Sequence, residues 1–188
     1  MNNAPLYLAL IHYPVYNKLG DVITTSITNL DVHDISRSCL TFNVKKFFIV
    51  TPLSSQKEIL SRIIRFWNTD AARNYNSFRS QALDIVEQAD TLSDVVDFIK
   101  KQESFDPVVI GTTAIERNHQ INHGDFRKFY LAARTPVLLL FGTGHGLSQE
   151  ILTDCDLILK PIYGSDYYNH LSVRSAAAII LDRLTSEK

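Results

Sequence analysis

The sequence predicts an α/β protein, a mostly parallel sheet flanked by helices. Short apolar runs alternate along the chain with longer amphipathic ones, the pattern of strands joined by crossover helices. Two of the runs, VVIGTT (Val108 to Thr113) and VLLLFGT (Val137 to Thr143), are apolar throughout, as strands covered on both faces are. Several runs end in Pro, Gly or Thr, residues that stop strands.

Taken in order, LYLALIHY (Leu6 to Tyr13) and KFFIVTP (Lys46 to Pro52) read as strands rich in aromatic and aliphatic residues. Ser54 and Ser55 stand as hydroxyl caps before KEILSRIIRFW, where Ile59, Ile63 and Phe66 recur at helical spacing. Residues Asn68 to Ser80 are the one polar interruption, a loop or a broken helix. ALDIVEQA (Ala82 to Ala89) is a weaker strand. Thr91 precedes a helix with Leu92, Val95, Val96 and Ile99 on one face. After VVIGTT comes a short helix over Asp125 to Arg134, stopped by Pro136. VLLLFGT and LILKPI (Leu157 to Ile162) supply the last strands, and Asn169 to Leu184 the last helix. There is no repeat, low-complexity tract or clear linker, so the 188 residues read as a single domain.

The composition, 45% hydrophobic and 21% charged, is that of a soluble globular protein. A net charge of −1 excludes a surface that holds nucleic acid by a large basic excess and leaves room for a local patch. Its best local source is the set Arg62, Arg65, Arg73 and Arg79. Cys39 and Cys155 have no metal-knuckle or disulfide spacing and read as reduced, buried thiols. The N-terminal segment lacks the marks of a signal peptide, and no apolar run reaches the roughly 18 residues of a membrane span. The expected compartment is the cytoplasm.

Three of the seven glycines, Gly142, Gly144 and Gly146, fall in FGTGHGL directly after a strand, where positive φ or close ligand approach can require them. Ser148 then opens a short helix, SQEIL. The spacing is not a dinucleotide fingerprint, and no Gly-Lys-Ser/Thr follows to make a phosphate loop. Gly111, Thr112 and Thr113 end another strand, and KPIYGSDYYN (Lys160 to Asn169) follows a third. Such strand ends can converge on one crevice, where open parallel sheets bind ligands. His119 and His123 lie in a loop context with no third ligand near, so no metal is expected. Ser148 lacks the setting of a hydrolase nucleophile. His33 and Asp34 point to different helix faces.

Taken in order, these segments resemble the SPOUT class of S-adenosylmethionine-dependent RNA methyltransferases. TNLDVHDISRSCLTFNV (Thr28 to Val44) resembles the first motif, PVLLLFGTGHGLS (Pro136 to Ser148) the second, and ILKPIYGSDYYNHLSVRSAAAIILDRL (Ile158 to Leu184) the third. DPVVIGTTAIERN (Asp106 to Asn118) is similar to a segment of the class's ribose 2′-O-methylating branch. Within the third motif, LSVRSAAAIIL is similar to that branch's Leu-Asn-Val-Ser run.

The resemblance implies a C-terminal deep trefoil knot and a bent S-adenosylmethionine held mainly by backbone. On this sequence the implied cofactor residues are Gly111, Thr112 and Thr113; Phe141, Gly142, Thr143, Gly144, His145, Gly146 and Leu147; then Ile162, Tyr163, Leu171 and Ser172. It also implies a homodimer through the first and last helices, with Ser175, Ala176, Ala177 and Ala178 as a narrow packing face. RNA, a tRNA or rRNA, would be the substrate. Ser172 stands where the 2′-O branch has asparagine, Arg174 where it has serine, and Asp31 aligns with its motif-one asparagine. Arg37 matches the arginine used near the reacting hydroxyl. The resemblance thus implies as acceptor either a ribose 2′-hydroxyl or a base nitrogen such as guanine N1. For the latter, Asp166 is the candidate general base. Tyr167, Tyr168, Asn169 and His170 could frame the target nucleotide. Two rivals are an S-adenosylmethionine-binding protein without catalysis and, suggested by the glycine loop alone, a nucleotide-binding regulatory module.

Overall fold

The computed structural model describes residues 4–165 and 168–186. Seven strands form one sheet in the order β5-β4-β1-β8-β6-β9-β7, and every pairing in it is parallel. They are β1 (Leu6–Ile11), β4 (Lys46–Val50), β5 (Val86–Ala89), β6 (Val108–Gly111), β7 (Gln120–Ile121), β8 (Val137–Gly142) and β9 (Leu157–Leu159). Two short strands, β2 (Val15–Tyr16) and β3 (Val22–Ile23), make a separate antiparallel hairpin. The helices are α1 (Asn29–Thr41), α2 (Ser54–Trp67), α3 (Asp70–Tyr75), α4 (Ser77–Leu83), α5 (Leu92–Glu103), α6 (His123–Ala132), α7 (Gln149–Thr153) and α8 (Val173–Thr185).

The continuous apolar runs are strands for the physical reason expected of them. All six residues of β1 are buried, because helices cover both faces of the sheet. Alternation then divides the core. Leu6, Leu8, Leu10, Phe47 and Ile49 face the layer of α1, α6 and α8. Tyr7, Ala9, Ile11, Phe48 and Val50 face the layer of α5 and α7.

Several local expectations shift. Ser54 and Ser55 lie inside α2, whose N-cap is Leu53 with no side-chain cap bond. The buried stripe of α2 is Leu60 and Trp67 with Ile63 and Ile64 packed against it, which turns Ile59 and Phe66 outward. Residues 68–80 form the broken helix, capped at each restart by Thr69 and Asn76. Ala82 and Leu83 complete α4, so the strand that follows is only Val86–Ala89. Thr91 caps α5 reciprocally with Asp94. The predicted helix over 125–134 runs from His123 to Ala132, capped by Asn122. The last helix begins at Val173, capped by the Ser172 hydroxyl, so residues 169–172 lie before it and not within it. Cys39 is buried as expected, whereas Cys155 is half-buried. No described helix is long and apolar enough to cross a membrane.

Because the sheet is parallel, β1, β6, β8 and β9 all end at one edge. β9 pairs with β6 on one side and β7 on the other, so it lies between two strands joined directly by residues 112–119.

Candidate functional site

A crevice of about 660 Å³ opens at this carboxyl edge. Its walls come from the loops after β6, β8 and β9, the β2–β3 hairpin, and the start of α8. The three strand ends singled out from sequence therefore converge, as open parallel sheets require of a ligand site.

The glycine loop gets its shape from its neighbours. A Cβ on Gly142 would stand 2.5 Å from the backbone nitrogen of Leu147, and one on Gly144 2.7 Å from the carbonyl oxygen of Tyr16. Gly144 and Gly146 also take φ of +56° and +105°, which L side chains resist. The loop is laced to the hairpin: the His145 amide donates to the Tyr16 carbonyl at 2.8 Å, and the Tyr16 amide to the Gly146 carbonyl at 3.0 Å. These glycines thus let the chain fold back on itself. Gly146 lines the crevice, and its Cβ position meets nothing within 4 Å, leaving the loop's edge open there.

Behind the loop runs a polar relay that starts from the buried His12 and passes through the half-buried Thr25 and Thr143. His12 Nδ1 lies 3.0 Å from Thr25 Oγ1, which lies 2.5 Å from Thr143 Oγ1. The Thr143 hydroxyl donates to the Ile11 carbonyl at 3.0 Å. One direction satisfies every contact: Thr25 donates to Thr143, so Thr25 accepts from a protonated Nδ1. His12 Nε2 is then a buried acceptor with no partner. Burial drives the pKa of this fully enclosed ring down to about 4, with the charge of Asp31 opposing part of the shift. A neutral His12 and a fixed tautomer hold Thr143 against the end of β1.

Asp31, nearly buried, belongs to the crevice wall. Its carboxylate accepts the Thr28 hydroxyl at 2.6 Å and Arg174 Nη1 at 2.7 Å. Arg174 also lies 3.4 Å from Asp34. Two of the three positions that depart from the 2′-O pattern, Asp31 and Arg174, are therefore one ion pair, while the third, Ser172, caps α8.

The implied cofactor residues line this crevice, except Gly111, Leu147 and Tyr163. Gly111 is a packing glycine, where a Cβ would meet Cys155 Sγ at 2.9 Å. Leu147 is buried and bridges Val15, and Tyr163 is exposed. The two threonine hydroxyls after β6 have local partners: Thr112 donates to the Leu140 carbonyl at 2.8 Å, and Thr113 accepts from the Ile115 amide at 3.1 Å. Arg37 sits exposed on α1 and is not part of the wall. Asp166 and Tyr167 lie outside the described residues. Asn169 and His170 line the crevice, and Asn169 Nδ2 donates to the Ala114 carbonyl at 2.9 Å. Tyr168 meets His170 edge-on, centroids 5.5 Å apart. His119 has a φ of +60° in a turn, while His123 starts α6. No described group of three His, Cys, Asp or Glu could hold a metal.

Sequence reasoning missed Asn17, Lys18 and Gly20 of the hairpin, whereas Lys160 belongs to the segment it singled out after the third strand. The signal was NKLGD, an Asx turn in which Asn17 Oδ1 accepts the Leu19 and Asp21 amides at 2.7 and 3.0 Å. Strands of two residues carry no periodicity to flag it.

The residues present fit S-adenosylmethionine. Phe141, Ile162, Leu171, Val173 and Ile180 offer apolar wall to a purine, Lys18 and Lys160 offer cations to a carboxylate, and Asp31 an acid. The loop edge left open at Gly146 gives a ligand access to main chain.

Residues 5–186 match the model of a family described as SAM-dependent RNA methyltransferase. An uncharacterized protein of Aquifex aeolicus is 38% identical over 186 residues, 99% of this chain and 91% of that one. A tRNA (guanine-N(1)-)-methyltransferase of Nitratidesulfovibrio vulgaris is 41% identical over 182 residues, 97% of this chain; the chain spans 42% of its length. Among solved structures, a probable methylase family protein from Haemophilus influenzae superposes with a TM-score of 0.66 at 17% identity, covering 97% of this chain and 65% of that one. The SpoU methyltransferase AviRb from Streptomyces viridochromogenes, solved with AdoMet, gives 0.61 at 17% identity, covering 98% and 58%. At such identities the likeness is one of fold.

Proposed function

The chain belongs to the family of SAM-dependent RNA methyltransferases, and on that premise we propose that the crevice binds S-adenosylmethionine and that the protein methylates a nucleotide of tRNA or rRNA. The observation that carries this reading is the meeting of three loops, after β6, β8 and β9, on one crevice whose wall includes Asp31, itself paired with Arg174.

When bound, S-adenosylmethionine supplies a methyl group already activated on sulfonium sulfur. The chain's part is position and field. The relay from His12 through Thr25 to Thr143 fixes the glycine loop. Asp31, held by Arg174, sets a negative charge at the wall, where the acceptor's O–H or N–H must lose its proton. Arg37, one helical turn and a half beyond Asp31 on α1, orients an RNA phosphate as it crosses the helix. Two details favour a base nitrogen as acceptor. A carboxylate at position 31 replaces the amide of the ribose branch, and the relative named for guanine N1 is 41% identical.

A knotted C-terminal path belongs to the same reading. Its support is that β9 lies between β6 and β7, while Asn169 bonds to the β6–β7 loop and the chain then enters α8. Pairing of two copies through α1 and α8 is supported by the adjacency of these helices and by exposed Leu30. Of the small residues expected to serve that contact, Ala176 lines the crevice and Ala177 fills the core. The proposed compartment is the cytoplasm, where tRNA and rRNA are met.

The test is transfer of labelled methyl from S-adenosylmethionine to bulk RNA, followed by nucleoside analysis. The expected product is a single methylated nucleoside, a base-methylated guanosine before a ribose-methylated one. Intact cofactor binding without label in any RNA would leave a cofactor-binding protein and remove the proposal.

A further inference from the structure

The segment α2–α4, residues 54–83, is unlike the rest of the surface. It carries Lys57, Arg62, Arg65, Arg73 and Arg79 against Glu58 and Asp70, a net +3 in a chain of net −1. It also leaves three aromatic rings in water: Phe66 is 61% exposed, Phe78 79% and Tyr75 85%. The stripe that α2 buries is Leu60 and Trp67, which leaves most of Phe66 outside it. Exposed aromatic rings among arginines are what single-stranded nucleic acid needs, rings to stack on and cations to follow the backbone.

The face also joins the crevice through α1. Arg79 lies over the Trp67 ring, 5.0 Å from its centroid. His33 of α1 meets the same ring edge-on at 5.4 Å, and so does Phe66 at 5.4 Å. The pKa of His33 is lowered by burial first and then by Arg79, with Asp34 opposing and Arg37 adding to the shift. On the same helix, Asp34 contacts Arg174 and Asp31 enters the crevice wall. A chain of contacts thus runs from Phe66 and Arg79 over Trp67 to His33 of α1, the helix that also carries Asp31 into the crevice wall.

We propose that the α2–α4 face is the RNA-docking surface of this protein. It takes a single-stranded segment of the substrate by stacking bases on Phe66, Tyr75 and Phe78, with Arg62 and Arg65 along the phosphates. The inference rests on the methyltransferase reading above and names where its substrate lies. Acidic neighbours temper the charge: Arg62 pairs with Glu58, Lys57 with Asp90, and Arg73 sits 3.7 Å from Asp84. Arg65 bonds only a carbonyl of its own helix among the described contacts. Stacking supplies what the charge does not.

The experiment compares the full chain with two surface variants, Phe66→Ala/Tyr75→Ala/Phe78→Ala and Arg62→Glu/Arg65→Glu. It uses a labelled single-stranded oligoribonucleotide for RNA affinity, calorimetry for S-adenosylmethionine, and gel filtration for assembly. Expected is a loss of RNA affinity of about tenfold or more in each variant, a shallower salt dependence in the arginine variant, and unchanged cofactor affinity. Unchanged RNA affinity in both variants overturns the proposal. So does a shift to a smaller species in the aromatic variant at unchanged RNA affinity, which assigns the face to a second copy of the chain. A wild-type protein that binds S-adenosylmethionine but no RNA would instead fell the methyltransferase reading itself.

Discussion

Arg174 Nη1 lies 2.7 Å from Asp31 Oδ1, tying the first turn of α8 to the first turn of α1 across 143 residues of sequence. The carboxylate is 10% exposed in its side chain and the guanidinium 32%, so the pair is dry on one side and wet on the other. Removing one partner from such a pair leaves the other charge to be solvated in place.

Arg174→Ala should destabilise the fold by about 2 kcal/mol, read from the midpoint of urea unfolding. Methyl transfer should fall further than stability accounts for, because Asp31 loses its fixed direction in the crevice wall. The Asp31→Asn/Arg174→Ala double variant should cost less than the two single changes added, which is the signature of a coupled pair. Strict additivity would mean the contact carries no energy.

Gly144→Ala forces a Cβ to within 2.7 Å of the Tyr16 carbonyl at a φ of +56°. The hairpin or the loop must move, so S-adenosylmethionine affinity should drop about tenfold or more, with roughly 1–2 kcal/mol of strain in the fold. Gly164→Ala is the control, since its Cβ meets nothing within 4 Å. It should leave both quantities unchanged, and equal losses in the two variants would contradict the role given to the loop.

Thr143→Val removes the hydroxyl that both accepts from Thr25 and donates to the Ile11 carbonyl. It leaves two polar groups short of a partner and should cost about 1–3 kcal/mol. Cofactor affinity should weaken because the loop's first residue is no longer held to β1. Thermal unfolding and calorimetry measure the two effects separately.

The His12 ring is held neutral, its pKa depressed from 6.5 to about 4 by burial. The unfolded chain takes up a proton as pH falls through 6.5, while the folded one waits until about 4. Stability contributed by this group is therefore full above about pH 6.5 and is lost as pH falls toward 4. The loss is on the order of 3 kcal/mol across that window. His33 and His123 are shifted the same way by burial, so replacing His12 by Asn should flatten the melting temperature's dependence on pH in part. An equally steep profile in that variant would remove His12 from the account.

The sheet was legible because its strands are buried on both faces and must be apolar without interruption, as VLLLFG is. Helix boundaries were less so. Ser54 and Ser55 look like caps, yet the backbone of α2 is already helical at Ser54, and a hydroxyl alone does not say which residue stays extended. Phe66 followed the helical period of Ile59 and Ile63, but the stripe actually buried runs one residue later, through Leu60 and Trp67. Of the site, the loops after β6, β8 and β9 were readable from Gly and Thr at strand ends. The hairpin with Lys18 was not, since its contribution comes from hydrogen bonds to the glycine loop. The Asp31–Arg174 pair showed in sequence only as two departures from a pattern, with nothing to say that they meet.

The most direct test of the crevice as a cofactor site is calorimetric titration of the folded protein with S-adenosylmethionine and S-adenosylhomocysteine, with NAD and ATP as controls. The account predicts one adenosyl ligand per chain, weakened by Gly144→Ala and not by Gly164→Ala, and no comparable binding of NAD or ATP. Failure of both adenosyl ligands to bind the folded protein, or equal binding to the Gly144→Ala variant, would contradict it.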